Sequence, residues 1–499
     1  MRPRSAGMPA IELLSCFGKF SRTRRANLPV LIGVAAVGLL GTGACRREII
    51  EPRPGLLRFS RDTIYFDSLF STVLSPTQRL WVDNPPPYPV HIRAVRLERG
   101  EASPFSFVFD GQAGPIGVRY TIGSRDSLQV FLQVRDTTQK NTIQEDKLLI
   151  DTDAGRQEVL LRVALIAAYV YRDFGFDSVI VSFPTDKPVI IDGYFYVGPS
   201  ATLRILPGTR LYFSGRRWES GPLQGELASG LYIAGRLEAM GTPQSPIFMQ
   251  GWRLEPYYSS APGQWQGIWF FPSSSQNRLL YTHISQSSIA VRIDSAGEGS
   301  TPKVVMEGCL IRDAANYGIL TQGFAPILPA QPILQAVNTL VYRCGQACAA
   351  FLGGGTYRLV HCAFIYDQGD LRRGVTSLAV SDYLEVQNQT RTYPIDFWAL
   401  NSLFWTTKED AVSADLRGGT PVQWLFDHCA FRQKDPLPGV GNLSLTSPGV
   451  GSASDDYPLL ENSPLIDRGR YDAGLSPQRD LVGRRRDAFP DIGAYEYVR

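Results

Sequence analysis

The sequence predicts an all-β protein: a right-handed parallel β-helix preceded by an antiparallel β-sandwich. Two observations predict the helix and one the sandwich. A short pattern of one polar residue, one small residue and a β-rich run returns five or six times between Leu279 and Gln433. Its units hold short runs of Val, Ile, Leu and Phe bounded by Gly, Asn and Asp, too short and too β-rich for paired helices. Before them, residues 57–168 carry short alternating segments separated by turns rich in Asn, Pro, Gly and Asp.

The copies read Glu307-Gly-Cys-Leu-Ile-Arg, Val337-Asn-Thr-Leu-Val-Tyr, Val360-His-Cys-Ala-Phe-Ile, Leu400-Asn-Ser-Leu-Phe-Trp and Asp427-His-Cys-Ala-Phe-Arg, with a weaker one at Tyr281-Thr-His-Ile-Ser. The small residues Thr282, Cys309, Thr339, Cys362, Ser402 and Cys429 are spaced by 27, 30, 23, 40 and 27. A β-helix coil takes roughly 22 to 25 residues, so 23 is a bare coil and the longer spacings are coils with loops. Coils about 4.8 Å apart stack like positions into ladders. The small residues are expected to line the inside, and Asn338, His361, Asn401 and His428 to form a second ladder at a bend, bonding the next coil's backbone.

The chain divides accordingly. Residues 1–44 form an export signal: Arg22, Arg24 and Arg25, an apolar run from Leu28 to Leu40, then Gly-Thr-Gly-Ala-Cys45. The run is too short to span a bilayer. Small residues directly before Cys45 resemble the lipobox of bacterial lipoproteins, in which that cysteine is acylated and becomes the new N-terminus; Thr42 departs from the usual Leu. Residues 45–56 are read as a linker and 57–168 as the sandwich, with segments such as Thr63-Ile-Tyr-Phe-Asp, Val90-His-Ile-Arg-Ala-Val-Arg-Leu and Leu128-Gln-Val-Phe-Leu-Gln-Val. Its pattern is similar to immunoglobulin-like modules of exported proteins. Residues 169–188 are read as a second linker, 189–455 as the β-helix and 456–499 as a closing coil and cap. In the first coils Leu203, Ile205, Leu211 and Phe213 alternate on either side of Pro207-Gly-Thr.

The resemblance is more specific in two places. Pro207-Gly-Thr, Gly230-Leu-Tyr-Ile-Ala-Gly-Arg-Leu, Gly241-Thr, Pro246-Ile-Phe and Pro262-Gly-Gln-Trp-Gln-Gly-Ile-Trp269 resemble the right-handed parallel β-helix lipoproteins of Bacteroidota-type bacteria. Ser463-Pro-Leu-Ile-Asp-Arg-Gly and Pro490-Asp-Ile-Gly-Ala-Tyr-Glu496 resemble the closing coil of that group. The resemblance implies fold and an exported, lipid-anchored location at the outer membrane or cell surface; it implies activity poorly, because a fold does not determine a function.

Charge narrows the partners. The chain has 50 Lys and Arg against 47 Asp and Glu; without residues 1–44 these become 44 and 46, a net charge of −2. That argues against nucleic acid, and local clusters such as Arg484-Arg485-Arg486 read as solvated turns. A monomer is expected. Beyond Cys16 and Cys45 the cysteines are Cys309, Cys344, Cys348, Cys362 and Cys429. Those of the repeat lie two coils apart, roughly 9 to 10 Å, beyond disulfide reach, and are expected free and buried. Cys344 and Cys348 leave a loop disulfide open.

Chemistry has few candidates. A glycosidase needs two facing carboxylates, and a polysaccharide lyase needs acidic calcium ligands and a proton acceptor. The outward positions of the repeat offer neither as a stack, so no catalytic and no metal residue is assigned. Asp455-Asp456 and Glu409-Asp410 read as solvated turn carboxylates, and Asp467, Asp480, Asp491 and Glu496 as a cap held by ion pairs with Arg484 to Arg486. No cofactor is expected; calcium is admitted by the fold and supported by no ligand set. One loop gathers Trp252, Tyr257 and Tyr258 near Arg253 and Glu255, a candidate platform for a glycan or another surface polymer, since a ring can cover an apolar sugar face. Trp265 and Trp269 are expected to pack beneath it, and 325–332 to extend the rim. Non-catalytic surface binding leads; a polysaccharide lyase or glycoside hydrolase, and a structural or adhesive spacer, are the alternatives.

Overall fold

The structure is a computed structural model that describes residues 51–498, except 52, 72–74, 116–119, 136, 137, 139, 297–300, 324–331, 367–375, 387, 388 and 409. Residues 1–44, read above as an export signal, Cys45, Glu409 and most of 325–332, expected to extend the rim, lie outside the described residues. The described chain forms two compact units that divide after Ala167.

The first unit is a sandwich of two five-stranded sheets. One runs Arg58–Phe59, Gln78–Asp83, Ser127–Val134, Phe105–Phe109, Gln112–Ala113; the other runs Thr63–Phe70, Gly155–Ile166, Thr142–Thr152, Val90–Leu97, Tyr120–Ile122. Pairing is antiparallel except between Thr63–Phe70 and Gly155–Ile166. Strict alternation decides which side is dry: Leu128, Val130, Leu132 and Val134 are buried while the residues between them face outward.

The second unit is a parallel β-helix with three strands per coil. Its first face stacks ten strands, among them Val304–Glu307, Pro332–Val337, Gly355–Val360, Ile395–Leu400 and Val422–Asp427. The second face carries Leu310–Ala314, Leu340–Cys344, Ala363–Tyr366 and Leu403–Thr406; the third carries Ile289–Asp294, Tyr317–Gln322, Ala347–Leu352 and Thr376–Ser381. The bare 23-residue coil holds all three strands between Thr339 and Cys362.

Two boundaries differ from expectation: the last helix strand is Leu443–Ser444, so the cap begins before 456, and the first coil begins before 189. Residues 169–188 are the first coil rather than a linker: Tyr169–Phe176 pairs in parallel with Val189–Val197, and Ile180–Ser182 with Thr202–Ile205. At the end of a solenoid the core has a neighbour on one side only, so its residues are half-buried and mixed in polarity, which hides the strand. Tyr171, Phe174, Phe183 and Phe195 close that end with rings 5.1 to 5.6 Å apart.

The small residues form one inward column in consecutive layers. Leu340 N–H donates to Cys309 O, Ala363 to Thr339, Leu403 to Cys362 and Ala430 to Ser402. All are fully buried. Each thiol donates to a first-face carbonyl, Cys309 to Leu279 O at 3.1 Å and Cys362 and Cys429 to Ala336 O and Ala399 O at 3.4 Å.

The residue before each small one turns the chain from the first face to the second with positive φ: Tyr281 43°, Gly308 62°, Asn338 46°, His361 52°, Asn401 49°, His428 49°. The expectation that these side chains bond the next coil's backbone is corrected. Main-chain N–H groups make that bond, as from Asn338 to Val360 O and His361 to Leu400 O. A side chain at this corner points away from the helix and meets the C-terminal segment. Asn338 Nδ2 donates to Arg479 O at 2.6 Å, and its Oδ1 accepts from Arg486 Nη2 at 2.9 Å. Asn401 donates to Arg470 O and accepts from Arg470 N–H, both at 2.8 Å.

Residues 446–498 therefore form a cap along this corner and over the outer side of the second face. Leu465, Leu481, Ile492 and Tyr495 pack on Leu310, Leu340, Ile365, Leu403 and Trp405, a core outside the helix. Arg486 is not in a solvated turn; it is buried and pairs with Glu496 at 2.9 Å. Nor is the cap chiefly ion-paired, because Asp480 and Asp491 accept main-chain N–H groups of Val482, Arg484 and Glu496, and of Asp467 and Tyr497. Burial pushes the Asp491 carboxyl up to about 6.

Asn401→Ala removes two bonds to the cap and leaves a β-carbon residue at positive φ, so urea unfolding should show a loss of about 2 to 3 kcal/mol. Asn401→Gly should lose less, and a change below about 0.5 kcal/mol in the alanine variant would contradict the corner's role.

Candidate functional site

The aromatic loop leaves the corner between Ile247–Gly251 and Ile268–Phe270. Gln264 Nε2 donates to Tyr258 O and Ala261 O at 2.8 and 2.9 Å, and Gln286 Nε2 to Tyr258 O and Ser259 O at 2.9 and 2.8 Å, so the loop backbone is pinned. Its side chains do not make a flat platform. Arg253 pairs with Glu255 at 2.8 Å and lies 4.0 Å from the Tyr258 ring centroid, so that ring face and that charge are both occupied. Trp252 is half-buried, and Tyr257, 83% exposed, stands edge-on to Tyr258. Trp265 packs inward, stacked on Phe213 with centroids 3.8 Å apart, and donates to Ser285 O. Trp269 lies on the outer side beneath Arg292, donating to Asp294 Oδ2 at 2.7 Å.

The histidines are committed elsewhere. His361 contacts Asp491 O through Nδ1 at 3.1 Å and Asn401 Nδ2 through Nε2 at 2.9 Å, which makes Nδ1 the donor and the ring neutral. Burial, with Arg486 close by, pushes its pKa well down. His428 meets Asp427 at 2.6 Å, and Asp427 also binds Arg470. His283 is pushed down by burial, and His91 bonds Thr121 in the sandwich.

The carboxylates are likewise dispersed. Asp313 is buried between Arg312 and Arg343, Asp456 accepts from Tyr342 Oη, and Asp410 accepts from Lys434 N–H. Among the described residues no three His, Cys, Asp or Glu side chains meet as a metal cage. Lys303, which the sequence did not single out, donates to the carbonyls of Phe271, Pro272 and Asp294 at 2.8, 3.1 and 2.6 Å. Burial pushes its pKa down to about 8, yet all three ammonium protons are engaged, so it acts as a staple.

Cys344 and Cys348 sit in strands of the second and third faces, buried and unbridged, rather than in an exposed loop.

A concavity of the β-helix lies on the first face near its C-terminal end. Arg358, Asp396, Phe397, Trp398, Val422, Gln423, Trp424, Leu425 and Pro438 line a groove of about 650 Å³. The register places Arg358, Trp398 and Leu425 in one column on three successive coils, with Asp396 and Gln423 in the next. Arg358 holds Asp396 bidentately at 3.0 and 2.5 Å and also donates to Tyr357 O and Asp396 O. A volume of this order suits a small ligand or part of a polymer. The signal in the sequence is positional: three residues before each corner residue stand Gln335, Arg358, Trp398 and Leu425. Only after the corner is recognised does that column become visible.

No protein-family model matches the chain, and no curated protein matches it. Among solved structures it is similar to a PapD-like domain of human CEP192 at 10% identity, covering 26% of this chain and 98% of that one with a TM-score of 0.17. It is also similar to a Porphyromonas gingivalis protein of unknown function at 12% identity, covering 25% and 60% with a TM-score of 0.18. A family 123 glycoside hydrolase from Clostridium perfringens matches at 6% identity, covering 23% and 30% with a TM-score of 0.16. Likeness this slight carries no argument about activity.

The Cys309, Cys362 and Cys429 thiols are pushed up to about 12 by burial. Cys344 and Cys348 are as fully buried as these three, so none of the five thiols meets solvent. Iodoacetamide should therefore leave the five repeat-region thiols unlabelled in the native protein and label all five once guanidinium unfolds it; rapid native labelling would contradict their placement.

Proposed function

We propose that this protein is a non-catalytic, lipid-anchored surface lipoprotein whose β-helix holds a glycan or another extended surface polymer in the first-face groove. The observation that carries the reading is the column Arg358, Trp398, Leu425 beside Asp396 and Gln423: an indole and apolar side chains next to groups able to meet hydroxyls. Reading the protein as non-catalytic rests on the carboxylates that are dispersed or already bonded. The apolar run ahead of Cys45 supports export and acylation at that residue.

A glycan array followed by calorimetry tests the groove. Trp398→Ala should weaken binding about tenfold or more, about 1.4 kcal/mol, while the Trp252, Tyr257 and Tyr258 triple alanine variant should bind as the parent does. Loss in the triple variant alone would move the site to the loop and reject the groove.

Anchoring is tested separately. Cys45→Ala should abolish labelling by radioactive palmitate and shift the protein from the membrane to the soluble fraction. Retention in the membrane without label would overturn the anchor.

A further inference from the structure

We infer that the polymer held in this groove is an uncharged glycan lying along the axis of the β-helix. The inference rests on the reading of the groove as a polymer site and specifies its ligand. The direction follows from the register. Arg358, Trp398 and Leu425 come from successive coils, so their column runs along the axis in steps of about 4.8 Å and spans about 10 Å. Upstream, the same column continues with Gln335 and Val305. A ligand following it crosses strands rather than running beside one, as a chain of rings would and a single ring would not.

The charge preference follows from one pair. The groove is lined by one cation and one anion, and they hold each other bidentately. Arg358 Nη1 also donates to Tyr357 O and Asp396 O, so Nε–H and one Nη2–H are the donors left for a ligand, and both sit beside the Asp396 carboxylate. A uronate or sulfate that took those donors would lie against the Asp396 carboxylate, whose negative charge opposes its own, and could gain the full guanidinium fork only by displacing Asp396. A polycation meets the converse obstacle at Asp396. Sugar hydroxyls instead can donate to the remaining lone pairs of Asp396 and exchange bonds with the exposed Gln423 amide without separating the pair. Trp398, Leu425 and Pro438 supply the apolar surface, and Val422 and Trp424 pack on the helix core beneath it.

The test is calorimetry on the intact protein with xyloglucan, mannan and dextran as neutral probes and polygalacturonate and alginate as acidic ones. At least one neutral glycan should bind, with Kd changing less than about twofold between about 50 and 500 mM NaCl, and the acidic polymers should bind about tenfold more weakly or not at all. Asp396→Asn, which releases Arg358, should raise affinity for polygalacturonate and introduce salt dependence. If the acidic polymers bind best and Trp398→Ala removes that binding, the uncharged ligand is wrong while the groove stands. Failure of Asp396→Asn to change the charge preference would likewise overturn the inference. If no glycan binds, or Trp398→Ala changes nothing, the groove reading falls and the inference with it.

Discussion

Each of these coils passes from its first face to its second through a single residue at φ between 43° and 62°, and the rest of the helix depends on that turn. It lets the main-chain N–H of the corner reach the next coil while the following small residue drops inward. Glycine and asparagine take the conformation readily; tyrosine and histidine take it at a cost near 1 kcal/mol each unless their surroundings compensate. At His361 compensation comes from two bonds, one to Asn401 and one to the cap. The corner thus joins backbone geometry to tertiary structure: a residue chosen for its turn also presents a polar side chain outward, and residues 446–498 are folded to receive it.

That arrangement decides which outer surfaces of the helix stay open. The cap covers the outer side of the second face, and its polar groups engage the corner, so residues that would otherwise suggest acid–base chemistry are buried hydrogen-bonding partners. Outer residues of the third face are partly closed by an aromatic cluster of Tyr196, Tyr232, Trp269 and Phe271. The first face keeps a concave, half-exposed strip at Arg358, Trp398 and Leu425.

Much of the fold was legible because solenoid positions repeat. Cys309, Thr339, Cys362, Ser402 and Cys429 recur in the same local frame, and a period read off them gives layers, an inward column and the distances that keep these thiols apart. Asn338, His361, Asn401 and His428 also marked a bend, yet not its partner, because residues 69 or more positions away supply the groups that Asn338 and Asn401 bind. The burial of Arg486 was hidden for the same reason: Arg484-Arg485-Arg486 looks like any charged turn until Glu496 and Asn338 are brought to it. The first coil was missed because an end coil lacks the two-sided burial that makes a strand apolar. At the loop, composition was misleading, since Arg253 and Glu255 occupy the ring and the charge that a sugar would need. Trp398 escaped notice because its meaning comes from Arg358 and Leu425 in neighbouring coils, not from adjacent residues.

Native-state hydrogen exchange is the most direct measure of the bond between corner and cap. Coil and cap meet at Gly493 N–H, which donates to Asn401 O at 2.8 Å. If the cap is integral, the amides of Asn338, His361, Asn401 and Gly493 should open with one common free energy, responding together to added denaturant. Exchange at Gly493 faster by orders of magnitude, with the three corner amides still protected, would show a cap that is only an appendage and contradict the account.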